Sequence, residues 1–136
     1  MKTLVMLAIV GLSCLSTLAQ EESAEYKACA AIADTQDVMT RCANEEVKRV
    51  NIEHDGVYKR LLTALSNNKR ATAKTIAAQQ AWIVYRRAYL DAMYPDTDKS
   101  SYGSIFPMEF DLLHARLTRQ HIKELLDLLH NVPTNW

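Results

Sequence analysis

The sequence predicts an all-α fold, a small helical bundle of about four helices stapled by one disulfide, and three features predict it. Apolar residues recur at three- and four-residue intervals over long stretches, the spacing that lines one face of a helix. No stretch shows the period-two alternation of a half-buried strand. Breakers fall between the periodic stretches, at Ser66-Asn67-Asn68, at Pro95 and just before Pro107.

The chain starts with a short positive segment, Met1-Lys2-Thr3, followed by an apolar run from Leu4 to Leu12. Thr17-Leu18-Ala19 then sets small residues at −3 and −1 before Gln20. This is the pattern of a secretory signal peptide over residues 1–19, too short to span a bilayer. Cleavage near Ala19 leaves 117 of the 136 residues, enough for one helical domain over 20–136 with a modest core. A competing expectation makes Cys14 a lipidated lipoprotein cysteine, but Gly11-Leu12-Ser13 places Gly where a Leu is wanted and Leu where a small residue is wanted. The expected location is therefore the periplasm or the exterior.

Ser23 to Ala33 reads as a short first helix, and Asp34-Thr35-Gln36-Asp37 supplies the cap for a second. That second helix runs to about Leu65 and carries Met39, Cys42, Val47, Val50, Val57, Tyr58, Leu61 and Leu65 at helical spacing, with Gly56 as a soft point. With Cys14 removed, Cys29 and Cys42 remain as an even pair in an exported chain, which favours a disulfide. A metal site would need more soft ligands at short spacing.

Ser66-Asn67-Asn68 breaks the pattern and recaps the chain, and the third helix extends to about Met93. Gln79, Trp82, Arg86 and Leu90 share one stripe of it, where Trp82 is expected to fill the core and Arg86 to lie against the indole. An irregular segment follows from Tyr94 to Phe106. Pro107 suits the first turn of a fourth helix reaching about His130. Its expected core face is Phe110, Leu113, Leu117, His121 and Leu128, with Ile122, Leu126 and Leu129 as a second apolar strip.

The full chain holds 16 basic and 16 acidic residues, and losing Lys2 leaves the mature chain at −1. No clustered basic excess asks for nucleic acid, and no second apolar segment is long enough for a membrane. Basic residues nonetheless gather at Lys48, Arg49, Lys59, Arg60, Lys69, Arg70 and Lys74, and acidic ones at Asp91, Asp96, Asp98, Glu109 and Asp111. Solvated helix faces account for such a pattern, and so does a loop that presents carboxylates to a basic partner.

Metal, cofactor and catalytic readings are weak. Asp111-x-x-His114 and Asp127-x-x-His130 have the spacing of a carboxylate–histidine pair, but sixteen residues turn them roughly 160° apart on one helix. His54, His114 and His121 read as core or rim residues with one satisfied ring nitrogen. Ser104 lacks a Gly-x-Ser-x-Gly elbow, Asp96 and Asp98 lie on a solvated loop, and no Cys-x-x-Cys-His haem motif is present. No catalytic residue, metal or cofactor is expected.

The order of landmarks resembles the LprI-like lysozyme inhibitor family of small exported bacterial domains. The matching residues are Cys29, Cys42, Tyr58, Gln79-x-x-Trp82-x-x-x-Arg86, Gly103-Ser104, Thr118 and Leu125, and the resemblance covers about Cys29 to Leu128. Family members often carry an Asp after the signature Arg and a second disulfide. Here those positions are Arg87, Leu90 and Leu113, while His121 stands for the Arg of Thr-x-x-Arg and His54 for a Leu. Two leucines can fill the space the second disulfide would occupy.

The resemblance implies an exported binding protein, not an enzyme, that blocks a basic lysozyme-type hydrolase. The segment expected to meet that partner supplies Tyr94, Asp96, Asp98, Tyr102, Gly103 and Ser104. The alternative is an exported assembly module that uses the Ile122, Leu126 and Leu129 strip to pair with a second copy or dock on an envelope protein.

Overall fold

The computed structural model of the chain describes residues 22–133. Four helices follow in order, α1 (Ala24–Ala31), α2 (Gln36–Ala64), α3 (Lys69–Met93) and α4 (Phe106–His130), with a 3-10 turn at Lys99–Tyr102. The described residues contain no strand. The expected signal peptide and Cys14 lie outside the described residues.

Short polar side chains start the first three helices. Ser23 Oγ, Thr35 Oγ1 and Asn68 Oδ1 accept from the backbone N–H groups of Tyr26, Val38 and Ala71 at 3.0, 3.3 and 3.0 Å. At α4 no side chain caps the helix; Pro107 instead sits in the first turn, where its missing N–H leaves nothing unpaired.

The apolar core lies between α2 and α4. Val47, Val50, Val57, Leu61 and Leu65 pack with Ala115, Ile122 and Leu125, and Tyr58 and Leu129 border the cluster. Ile122 thus belongs to the core rather than to a separate strip, and Leu126 is exposed beside it. Leu128, expected in the core, is 52% exposed. Opposite it α3 offers only Ala71, Lys74 and Thr75, whose reach leaves an open groove instead of a covering side chain.

α1 lies on the first turns of α2. Cys29 and Cys42 form the expected disulfide, with Cα atoms 5.8 Å apart, and Tyr26 packs with Cys42, Ala43, Met108 and Leu112. Closing this short loop stabilises the fold by about 3 kcal/mol on the chain-entropy model. Beneath α1 sits Glu46, fully buried. It accepts from the Ser23 backbone N–H at 2.9 Å and from Arg49 at 2.7 Å, and it pairs with Arg119 of α4. Three helices therefore meet at one carboxylate, which would be strongly destabilising were it left alone.

α3 is held differently. Of its 25 residues only Gln79 and Leu90 are buried, and it leans on α4. Trp82 is half-buried, not the core filler expected from its stripe. Helical spacing fixes which face of α3 turns inward, but among the described residues the indole meets only the His54 and His121 rings, 5.2 and 4.0 Å away, so it lies at the edge of a seam. Leu90, Leu113 and Leu117 share one apolar cluster with Tyr89, Tyr94 and Phe110, and the two leucines that replace the family's second disulfide do fill one space. No helix among the described residues is long and apolar enough to cross a membrane.

Candidate functional site

The connection from α3 to α4 is a folded loop. The Tyr94 ring meets Tyr102 and Phe106 edge-on, with centroids 5.3 and 5.0 Å away, and Tyr102 stacks on Phe106 at 5.4 Å. The Tyr102 hydroxyl accepts from the Asp96 backbone N–H at 2.8 Å. Asp98 caps the 3-10 turn, accepting from the Ser100 N–H at 3.0 Å and its hydroxyl at 2.7 Å, and these bonds hold its carboxyl below the usual range. Lys99 donates to the Tyr94 carbonyl from inside the loop. Gly103 ends the turn at φ 77°, a left-handed conformation that a side chain would strain.

These contacts bring together five of the six residues expected to meet a partner, with Ser104 following Gly103 in the chain, and they divide into two roles. Tyr94 and Tyr102 are half-buried and hold the loop's shape, whereas Asp96, Asp98, Gly103 and Ser104 are exposed. The aromatic rings pack on one another because Phe106 and Phe110, one helical turn apart, give them an apolar base. The result is a folded knob at one end of the α3–α4 pair that exposes Asp96 and Asp98. Beside it lies a groove of about 340 Å³ lined by Met93, Tyr94, Glu109, Leu112 and Arg116.

A second polar arrangement fills the seam around α3. Gln79 lies between His54 of α2 and His121 of α4, with its amide nitrogen 3.1 Å from His54 Nε2 and its oxygen 3.0 Å from His121 Nε2. The outer ring nitrogens face Asp55 at 3.0 Å and Glu124 at 2.9 Å. Trp82 stacks on His121 at 4.0 Å, and the Arg86 guanidinium lies 4.5 Å from the indole centroid. Arg86 also donates to Thr118 Oγ1 at 3.1 Å, and Thr118 in turn donates to the His114 carbonyl at 3.0 Å.

Both His54 and His121 therefore use two ring nitrogens, not the one that was expected. His114 Nε2 is buried and has no hydrogen-bond partner among the described residues. Burial, and then the nearby Arg86, push His114 down to about 4, so it is neutral at pH 7. The link between His54 and His121 was missed because each histidine lies on the apolar stripe of its own helix. A polar residue in phase with Val57 and Leu61, and another in phase with Leu117 and Leu125, was the available signal.

Among the described residues no group of three or more His, Cys, Asp or Glu side chains is placed to hold a metal. Asp111 meets Asn44 at 3.4 Å, and burial raises its carboxyl above the ordinary value. Asp127 and His130 are exposed.

A family model described as lysozyme inhibitor LprI matches residues 27–125. The chain belongs to the LprI lysozyme inhibitor family. No curated protein and no solved structure matches it. The matched span starts in α1 and ends at Leu125 in α4, so it takes in the disulfide, the knob and the seam. The LprI landmark residues Gln79, Trp82, Arg86 and Thr118 all meet in the seam. Tyr58 stands beside it, 6.3 Å from the His54 ring, and Leu125 lies in the core. Arg87 and His121, which occupy the positions where LprI proteins often carry Asp and Arg, line different grooves of α3 and do not meet.

Proposed function

We propose that this chain is an exported inhibitor that binds a basic lysozyme-type glycan hydrolase through the 94–106 loop. The observation that carries this reading is the knob itself. In a chain of an inhibitor family, the one folded projection between two long helices exposes Asp96 and Asp98 on a base of packed aromatic rings. A preshaped loop loses little conformational freedom on docking, which favours tight binding. Its carboxylates would meet basic residues at the rim of a cleft and speed association. Tyr94 and Tyr102 would act mainly by keeping that shape, and Gly103 and Ser104 by letting a partner approach the backbone closely. No constellation of nucleophile, base and orienting group accompanies the knob, so binding and not catalysis is the proposed activity. Signal cleavage near Ala19 and release to the periplasm or exterior belong to the same proposal.

One observation supports an assembly module as the second reading. Ile83, Val84 and Tyr85 are exposed on α3, apolar side chains in addition to the Leu126 and Leu129 positions. The two readings separate in a binding experiment with a basic lysozyme. The inhibitor reading requires that Asp96→Asn with Asp98→Asn slow association and flatten its salt dependence, with dissociation little changed. A chain that leaves lysozymes of several types unbound, and that pairs with itself or an envelope protein, contradicts it.

A further inference from the structure

The seam that holds α3 has a proton count built into it. Asp55, His54, Gln79, His121 and Glu124 form a continuous chain of contacts across three helices. Each Nδ1 faces a carboxylate, so each carries a proton or shares one with that carboxyl. Each Nε2 faces one end of Gln79, and an amide has one donor end and one acceptor end. The histidine at the NH2 end must offer a lone pair, and the histidine at the oxygen end must offer an N–H. Turning the amide over exchanges the two histidines and changes nothing else. Every contact in the chain is satisfied when the pair carries one proton beyond two neutral rings. With two in excess, both Nε2–H groups point at Gln79, whose single oxygen can serve one of them.

We propose that this clamp is an acid-opened latch. His54 and His121 hold α3 through Gln79 while at most one ring is charged, and release it when both are. The charges facing the pair favour that outcome. The two rings are 5.6 Å apart, and Arg86 of α3 adds a third cation against the Trp82 ring that stacks on His121. No carboxylate among the described residues pairs with Arg86. Asp55 on α2 and Glu124 on α4 are the opposing charges, and both are largely exposed, at 81% and 57%, so water screens them. Tyr58 on α2 contributes a ring but no charge, and His114 on α4, near Arg86, stays neutral.

Burial is the main cause that holds His121 below its ordinary value, with His54 and Arg86 adding to it and Glu124 pulling the other way. A base held low binds fewer protons folded than unfolded. The stability that rests on withholding the second proton is present above the ordinary histidine value, near about pH 6.5, and is lost as the pH falls through the folded value. α3 is the element that can leave. It buries only Gln79 and Leu90, and the cluster between α2 and α4 draws on just Ala71 from its first turn. Opening would uncover Trp82 and Arg86 while α1, α2 and α4 stay folded. The latch is argued from the seam's geometry alone and does not rest on the inhibitor reading, although the knob shares the Leu90 cluster with α3.

The test is an NMR titration of the purified, oxidised chain from about pH 7.5 to about pH 4, following the His54 and His121 imidazoles, the Trp82 indole and the Leu61 and Ile122 methyls. Expected are two separated proton uptakes by the histidine pair, the second accompanied by movement of the Trp82 signal and the α3 amides while the Leu61 and Ile122 signals hold. In Gln79→Glu the carboxylate can accept from both rings, so the α3 step should shift toward acid by about one pH unit or more. In His121→Gln the second charge cannot form, so the step should vanish. The latch is overturned by an α3 step that persists unchanged in His121→Gln, by opening of Gln79→Glu at the wild-type pH, or by α2, α3 and α4 melting together. If Gln79→Glu fails to fold, the His121→Gln comparison decides.

Discussion

Toward α2, helix α4 presents Ala115, Ile122 and Leu125 to Val47, Val57 and Leu61, and what joins them is apolar contact. Toward α3 it presents Thr118 and His121, which meet Gln79, Trp82 and Arg86 through hydrogen bonds and stacked rings. The first seal is non-directional and scales with the area removed from water. The second is directional, and each member depends on the protonation and orientation of the next. One helix thus joins a stable half of the molecule to a half whose attachment can be tuned.

The largest effects should come from the apolar side. Leu61→Ala should destabilise the whole chain by about 3–4 kcal/mol in denaturant unfolding, because a fully buried leucine leaves a cavity between two long helices. Trp82→Ala, on the polar side, should cost less, about 2 kcal/mol, since the indole is half-buried and what is lost is stacking on His121 and the Arg86 contact. A Trp82 variant as damaging as Leu61→Ala would mean that the seam is a second core.

How far the sequence revealed this contrast depends on which part is asked about. Cap chemistry in Asp34-Thr35-Gln36-Asp37 and Ser66-Asn67-Asn68, with Pro95 and Pro107 as breakers, located the helix boundaries to within a few residues, because caps act over one turn and need no tertiary context. Cys29 and Cys42 were paired correctly by a different route, as the two cysteines left if Cys14 goes with the expected signal peptide. Burial depth was less legible. Trp82 and Leu128 both lie on the inward stripes of their helices, but depth depends on what stands opposite: Leu128 faces an open groove with Ala71, Lys74 and Thr75, and Trp82 faces, among the described residues, only the rings of His54 and His121. The knob's position was legible from its irregular composition, whereas the inward turn of Tyr102 was not, since it follows from how Phe106 and Phe110 are aimed.

Smaller effects sharpen the comparison at the point where the two kinds of contact meet. Leu90→Ala and Leu113→Ala should fall short of additivity by about 0.5–1 kcal/mol in a double-mutant cycle, since they share one cluster. Full additivity would separate them. Tyr102→Phe should weaken the knob by about 0.5–1 kcal/mol or less, through the lost bond from the Asp96 N–H, and should show as faster amide exchange at Asp96. Smallest of all on stability, Asp96→Asn should leave the melting temperature unmoved while it slows association with a basic partner.

The inhibitor reading is tested most directly by peptidoglycan hydrolysis by a basic lysozyme, measured with the intact chain and with a chain whose residues 95–105 are replaced by a short Gly-Ser linker. Inhibition by the intact chain, lost in the linker chain while its helicity and disulfide persist, is the predicted result. Inhibition that survives removal of the knob, or an intact chain that leaves hydrolysis at its full rate, would contradict it.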